Sequence, residues 1–341
     1  MTIDFKAVLE EKKKITYDEI EKYLSRYSEP AVHYAAVKEY PSRQGKGLRP
    51  TLLLLACEAF GGNPAQAVKT AASMQASEDW ILTHDDWEDA SDERRGKPAL
   101  HKLYPPEIAI NAGDALHMVQ WKILSDNFDI LDYKIARKVY DRMFEILMTT
   151  AEGQFIEMDA IKKNKVDLTD DDFYKIADGK AAWYSIIGPI QLGALVAGAS
   201  DADLKKIAEV GLPAGRAFQI QDDVLNLIGD VKKYGKEIGG DVLEGKRTLI
   251  MVHLLRTCTP EEKKKITSIL AKSRSEKTEE EKQYIIGLMQ KYGSIEYARV
   301  KAREFAQQSL SSFKKNFSNL PGKNAADALA AGLEFIVTRD K

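Results

Sequence analysis

The sequence predicts an all-α fold, a single large bundle of ten or more helices in one domain over residues 1–341. Three observations carry that expectation. Apolar residues recur at three- and four-residue spacings through most of the chain. Alternating apolar and polar runs of the kind that build half-buried strands are absent. Gly and Pro punctuate the chain between helical stretches, and no fixed-period repeat interrupts them.

The segments follow in order. Residues 4–27 are rich in Glu, Lys and Leu with helical spacing. Pro50 precedes a helix over 52–60, which Gly61, Gly62 and Pro64 close. Residues 65–86 read as one long helix, and 111–124 follow Pro105 and Pro106. Residues 135–159 form another long helix. Thr169 with Asp172 three residues on is a capping-box pattern that opens a helix towards Lys180. Residues 201–227, 261–271, 279–291 and 295–317 complete the series. The charged stretch 273–282 reads as an exposed connection.

Bulk composition limits the function. Hydrophobic residues make up 44% and charged residues 30%, a globular balance. With 50 basic against 52 acidic residues the net charge is −2, so no global field favours nucleic acid or a membrane surface. Cys57 and Cys258 stand far apart in no metal or disulfide pattern, which fits a reducing cytoplasm. Residues 1–14 carry no apolar core of a secretory signal. Residues 181–200 hold no charge and are long enough to span a bilayer, but Gly188, Pro189 and Gln191 mark them as a buried central helix, so no integral membrane protein is expected.

Two acidic clusters carry the chemistry. In His84-Asp85-Asp86-Trp87-Glu88-Asp89, Asp85 and Asp89 are one helical turn apart, and nothing local compensates their charge. Far downstream, Asp222 and Asp223 precede Asn226 in a second such cluster, after an apolar helix. Oxygen-only donor sets select hard cations, and a few carboxylates with phosphate oxygens is the usual magnesium arrangement. A di-iron carboxylate bundle needs Glu-x-x-His pairs, and no histidine here has Glu three residues before it. Clustered basic residues lie beside glycines: Gly45-Lys46-Gly47-Leu48-Arg49-Pro50, Arg94-Arg95-Gly96-Lys97-Pro98, Lys180, Lys236 and Gly245-Lys246-Arg247-Thr248. Arg and Lys in such settings bind phosphate, so the parts for holding and ionising a diphosphate are present.

In this order the motifs resemble the trans-isoprenyl diphosphate synthases, the polyprenyl synthetase family. The resemblance takes in Gly-Lys-x-x-Arg-Pro from Gly45, Asp-Asp-x-x-Asp with the trailing Arg-Arg-Gly-Lys-Pro, and Asn-Ala-Gly-Asp-Ala-Leu at 111–116. Gly153-Gln154, Gly179-Lys180, Phe-Gln-x-x-Asp-Asp and Gly-Lys-x-Thr at 245–248 complete it. It implies a homodimer of helical bundles of the isoprenoid synthase type, each around a deep central cavity. It further implies condensation of isopentenyl diphosphate with an allylic diphosphate, and three Mg2+ ions held by Asp85, Asp89 and Asp222 with Asp86 and Asp223 in support. By the same resemblance Arg94, Lys180, Gln219 and Lys236 face the allylic diphosphate with Lys246 near them, and Lys46, Arg49 and Arg95 hold isopentenyl diphosphate. Asp85/Asp89 and Asp222 are then expected to look into one pocket.

The chain departs from the family pattern in three places. Glu78 stands where His or Gln is usual at the isopentenyl diphosphate site, and an anion there requires protonation or pairing with Lys46 or Arg49. Ala181 replaces a Thr, and Asn226 replaces the last Asp of the second cluster. In the family the residues four, five and eight before the first Asp form the floor that stops chain growth, here Ile81, Trp80 and Ser77. Trp80 lies roughly 7.5 Å along the helix axis from Asp85. A bulky floor without the two-residue insertion of bacterial farnesyl synthases resembles an archaeal-type geranylgeranyl diphosphate synthase, with farnesyl diphosphate as the alternative product. Two other readings compete: a terpene cyclase, which has no use for Lys46, Arg49 and Arg95, and a non-catalytic regulatory subunit, supported only by Glu78 and Ala181.

Overall fold

The computed structural model describes residues 3–228 and 238–337. It is helical almost throughout. The helices are α1 (Phe5–Leu24), α2 (Ala31–Arg43), α3 (Leu48–Ala59), α4 (Pro64–Glu88), α5 (Leu100–Leu103), α6 (Pro106–Ser125), α7 (Tyr133–Lys162), α8 (Asp170–Ala177), α9 (Gly188–Val196) and α10 (Asp201–Ile228). They continue with α11 (Gly240–Glu244), α12 (Leu249–Thr257), α13 (Pro260–Leu270), α14 (Glu279–Lys291), α15 (Ser294–Phe317) and α16 (Lys323–Val337). Between α8 and α9, Asp178–Ile187 winds as a π-helix. The chain divides into two compact units: residues 1–145, 185–208 and 313–333 in the first, residues 146–184, 209–312 and 334–341 in the second.

In the first unit α4 packs on α6 and α3 on α9. Every residue of α4 from Thr70 to Ser77 is buried, and all but Met74 and Gln75 are Ala, Ser or Thr. A helix enclosed on all sides has no polar stripe, and small side chains let its neighbours approach. Two of its interior hydroxyls are bonded across to neighbours: Ser73 Oγ donates to the Gln120 carbonyl at 3.1 Å, and Asn127 Nδ2 donates to Thr70 Oγ1 at 2.9 Å. At Gly193 of α9 a Cβ would stand 2.0 Å from the Leu53 carbonyl oxygen, so only glycine permits this crossing.

The second unit is built on a core of Phe173, Ile220, Val224, Leu249, Ile250, Leu254, Ile266 and Ile285. Three of its helices are closed at their N-termini by reciprocal side-chain caps. Thr169 with Asp172 forms the expected capping box, and Thr259 with Glu262 and Thr278 with Glu281 form two more.

Several expectations need correction. A two-residue β-ribbon, Glu93–Arg94 paired with Lys97–Pro98, interrupts the helices. Arg95 and Gly96 at its tip both have positive φ, the geometry of a two-residue hairpin turn. So short a ribbon has no alternating run to reveal it. The charge-free stretch 181–200 is no single helix; it divides between the π-helix and the nine-residue α9, and no helix among the described residues is long and apolar enough to cross a membrane. The stretch 273–282 is mostly exposed, but Arg274, Lys277 and Glu281 are half-buried and Lys282 is buried. Helices α2, α5, α11, α12 and α16 fall outside the segments expected from the sequence. Pro41 lies inside α2, and Thr248, read as part of a substrate motif, caps α12 by accepting from the Met251 amide.

Candidate active site

The first acidic cluster closes α4. Asp85 and Asp86 lie in its last turn and Asp89 is its C-cap. The negative end of the helix dipole adds to these carboxylates, so the arrangement calls for a cation. Asp86 already has partners. It is fully buried, receives Arg94 Nε on both its oxygens at 3.0 Å with a further bond from Arg94 Nη2, and accepts from Tyr40 Oη at 2.5 Å. Asp85 stands 3.8 Å from Arg94 Nη2. Both Asp85 and Asp89 are half-buried. Just before them, His84 lies against Gly113, where a Cβ would come within 2.5 Å of its Nε2, and 3.6 Å from Asp114. That contact is a physical reason for glycine in the 111–116 motif.

Two turns further back, the ribbon delivers Arg95 to a second set of carboxylates. Arg95 Nη2 is 2.7 Å from Asp79 Oδ1 and 3.8 Å from Glu78. Gly45 makes room, since a Cβ there would meet Arg95 Nη2 at 2.7 Å, and the Gly45 amide donates to Tyr17 Oη at 2.6 Å. Glu78 is paired with Arg49 at 3.0 Å, one of the two partners expected for it. Burial opposes its charge, but Arg49 and Arg95 together hold its carboxyl below the usual range. Asp79 is different. It is fully buried, its Oδ2 has no hydrogen-bond partner, and burial outweighs Arg95 and lifts its pKa to about 6. Arg49 Nη2 also donates to Ser185 Oγ at 2.8 Å. Lys46 is exposed.

The expected floor residues lie on α4. Trp80 is half-buried, packed with its ring centroid 4.3 Å from that of His117 on α6 and 5.7 Å from that of His84. His117 Nε2 in turn accepts from Trp121 Nε1 at 2.8 Å. Ser77 is buried with its hydroxyl on the Met74 carbonyl, and Ile81 is half-buried.

In the second unit, Lys180, Gln219, Asp223 and Lys246 line one pocket together with Glu157 and Thr248. Lys180 comes from the π-helix, a geometry frequent at functional sites. Gly153 and Gly179, separate motif pieces in sequence, touch here: a Cβ on Gly153 would stand 2.6 Å from the Lys180 amide nitrogen. That approach leaves Lys180 Nζ 2.5 Å from Glu157. Gln219 Nε2 donates to Asp223 Oδ1 at 2.8 Å, and Lys246 Nζ is 2.6 Å from Glu244 and 3.8 Å from Asp241. Asn226 Oδ1 accepts the Asp241 amide at 3.1 Å, which ties the second cluster to the Gly239-Gly240-Asp241 turn. Lys236 lies outside the described residues.

Asp223 is the most deeply buried carboxylate of the second cluster. It is buried, and its Oδ2 has no hydrogen-bond partner. Burial and the charges of Asp241 and Asp222 push its pKa far up, against the Gln219 hydrogen bond. Among the described residues no three metal-ligating side chains converge. Carboxylates in ones and twos fit a magnesium ion that takes its remaining oxygens from phosphate and water.

The polyprenyl synthetase family model matches residues 30–289. The chain belongs to the polyprenyl synthetase family. It is 32% identical over 300 residues to the geranylgeranyl diphosphate synthase of Sulfolobus acidocaldarius, covering 87% of this chain and 88% of that protein. It is 30% identical over 303 residues to the geranylfarnesyl diphosphate synthase of Aeropyrum pernix, covering 87% and 91%. The fold matches the crystal structure of geranylgeranyl pyrophosphate synthetase from Pyrococcus horikoshii with a TM-score of 0.86 at 28% identity, over 99% of both chains. The all-α isoprenoid synthase fold expected from the sequence is therefore the one observed.

Sequence reasoning missed Asp79, Tyr40, Tyr17 and Glu157. Asp79 had a usable signal: it stands seven residues before Asp86, on the same face of α4.

Proposed function

We propose that the chain is a short-chain trans-prenyltransferase of the polyprenyl synthetase family, condensing isopentenyl diphosphate with allylic diphosphates to geranylgeranyl diphosphate. The pocket joining Lys180, Gln219, Asp223 and Lys246 carries this reading. It sets two ammonium groups beside a buried carboxylate, Asp223, whose Oδ2 has no hydrogen-bond partner, as a metal-bound diphosphate requires. Asp85, Asp89 and Asp222 are the magnesium ligands in this reading, three ions per site, with Asp86 and Asp223 in support. Bound magnesium supplies charge stabilisation for the departing diphosphate. Lys180, Gln219 and Lys246, with Arg94 and Lys236, orient the allylic diphosphate and neutralise its oxygens as the carbon–oxygen bond breaks. Arg49, Arg95 and Lys46 hold isopentenyl diphosphate so that its double bond meets the allylic cation, and the freed diphosphate takes the proton then lost. Exclusion of water protects that cation.

The bulk of Trp80 supports a C20 product over a longer one, and geranylfarnesyl or farnesyl diphosphate is the next alternative. Phe144, Met148, Ala151 and Phe155 form an exposed stripe along α7 at heptad spacing, which supports a homodimer. The catalytic module spans residues 1–341, and two cysteines without a disulfide agree with a cytoplasmic enzyme. The deciding experiment incubates the purified protein with labelled isopentenyl diphosphate, each allylic starter and MgCl2, and sizes the products. Geranylgeranyl diphosphate is expected. No turnover with any starter would leave the non-catalytic subunit reading in its place.

A further inference from the structure

In the first unit, two arginines and two acids form a closed, partly desolvated set. Arg49 binds Glu78 at 3.0 Å, and Arg95 binds Asp79 at 2.7 Å while standing 3.8 Å from Glu78. Glu78 is further fixed by Gln75, whose Nε2 donates to it at 3.1 Å. Arg49, Glu78 and Arg95 have side chains less than a fifth exposed, so these charges act on one another with little screening by water. The formal sum over Arg49, Arg95, Glu78 and Asp79 is zero. A diphosphate approaching the two guanidinium groups therefore meets them already neutralised, and beside a fixed anion.

We propose that Glu78 is a specificity-determining residue that acts as an internal occupant of Arg49, so that isopentenyl diphosphate must displace a carboxylate to bind. This rests on the prenyltransferase reading and adds a consequence for substrate affinity. Glu78 keeps Arg49 in a folded, ordered position while the substrate is absent, and exacts weak binding of the second diphosphate in return. Charged pairs with so little solvent screening resist separation, and like charges brought together in such a place cost affinity. Asp79 has a different part. It lies deeper, with no exposed surface, and holds Arg95 from behind.

The test is steady-state kinetics of Glu78→Gln, a change that keeps shape and Gln75 contact and removes the charge. The KM for isopentenyl diphosphate should fall roughly tenfold or more, while the KM for the allylic diphosphate stays within about twofold. Glu78→Asp keeps the anion on a side chain one methylene shorter, and its isopentenyl diphosphate KM should fall less than that of Glu78→Gln. Circular dichroism and the thermal midpoint of both variants establish folding. If Glu78→Gln is folded and active with an unchanged or higher KM for isopentenyl diphosphate, Glu78 is only structural and the proposal is overturned. If wild type and variants alike consume no isopentenyl diphosphate with any starter, it is the prenyltransferase reading that fails.

Discussion

Arg94 closes its guanidinium over Asp86 through both Nε and Nη2, and Tyr40 seals the far side of the same carboxylate at 2.5 Å. The acid has no exposed surface and the arginine little, so the pair holds the ribbon Glu93–Pro98 to the end of α4. Burial lowers and Asp86 raises the guanidinium pKa, with the acid winning, so the arginine stays charged.

Breaking this pair leaves one buried charge alone. Asp86→Ala is expected to destabilise the fold by about 3–5 kcal/mol, measured by urea unfolding. Arg94→Lys should recover only part of the wild-type stability, because an ammonium cannot reproduce the forked contact. Equal stability of Arg94→Lys and wild type would show that the two-point geometry is unimportant.

Asp79 gives a pH signature with a definite sign. Its folded pKa of about 6 lies above the ordinary 3.8, so the folded state binds the proton more tightly than the unfolded chain. Its contribution is fully present below pH 3.8 and is lost as pH rises through about 6. Asp79→Asn removes this titration. The stability of the variant relative to wild type should therefore rise between pH 4 and pH 6, read from urea midpoints at each pH. A difference that stays flat over that interval would contradict the assignment.

Gly153 admits no side chain, because a Cβ there would meet the Lys180 amide nitrogen at 2.6 Å, and backbone cannot swing aside as a side chain can. Gly153→Ala should cost about 1–3 kcal/mol by thermal or urea unfolding. In the proposed enzyme it should also raise the KM for the allylic diphosphate, since Lys180 moves with its backbone. A fully stable Gly153→Ala variant would mean that α7 and the π-helix separate freely.

Trp80 tests the chain-length reading. Trp80→Ala removes the ring that packs on His117 and should shift the products of the radiolabelled assay beyond C20. An unchanged product distribution would remove Trp80 as the floor.

Much of this was legible beforehand. The i, i+4 spacing of Asp85 and Asp89, the long helices and the Thr169–Asp172 cap are local properties, decided by helix periodicity and by hydrogen bonds within a few residues. The motif order from Gly45 to Thr248 likewise survives without coordinates, and it carried the family resemblance. The ribbon did not, since two residues per strand leave no period to detect.

Partnership was decided only by the tertiary structure. The sequence by itself determined which residues carry charge and which share a helix face; it could not say that Arg94 takes Asp86 while its neighbour Arg95 takes Asp79. Those choices depend on a two-residue turn with positive φ, on Gly45 leaving space, and on helices far apart in the chain coming within bonding distance. The pKa of Asp79 and the pairing of Glu78 follow from burial and distance, and both quantities come into being only when the chain is packed.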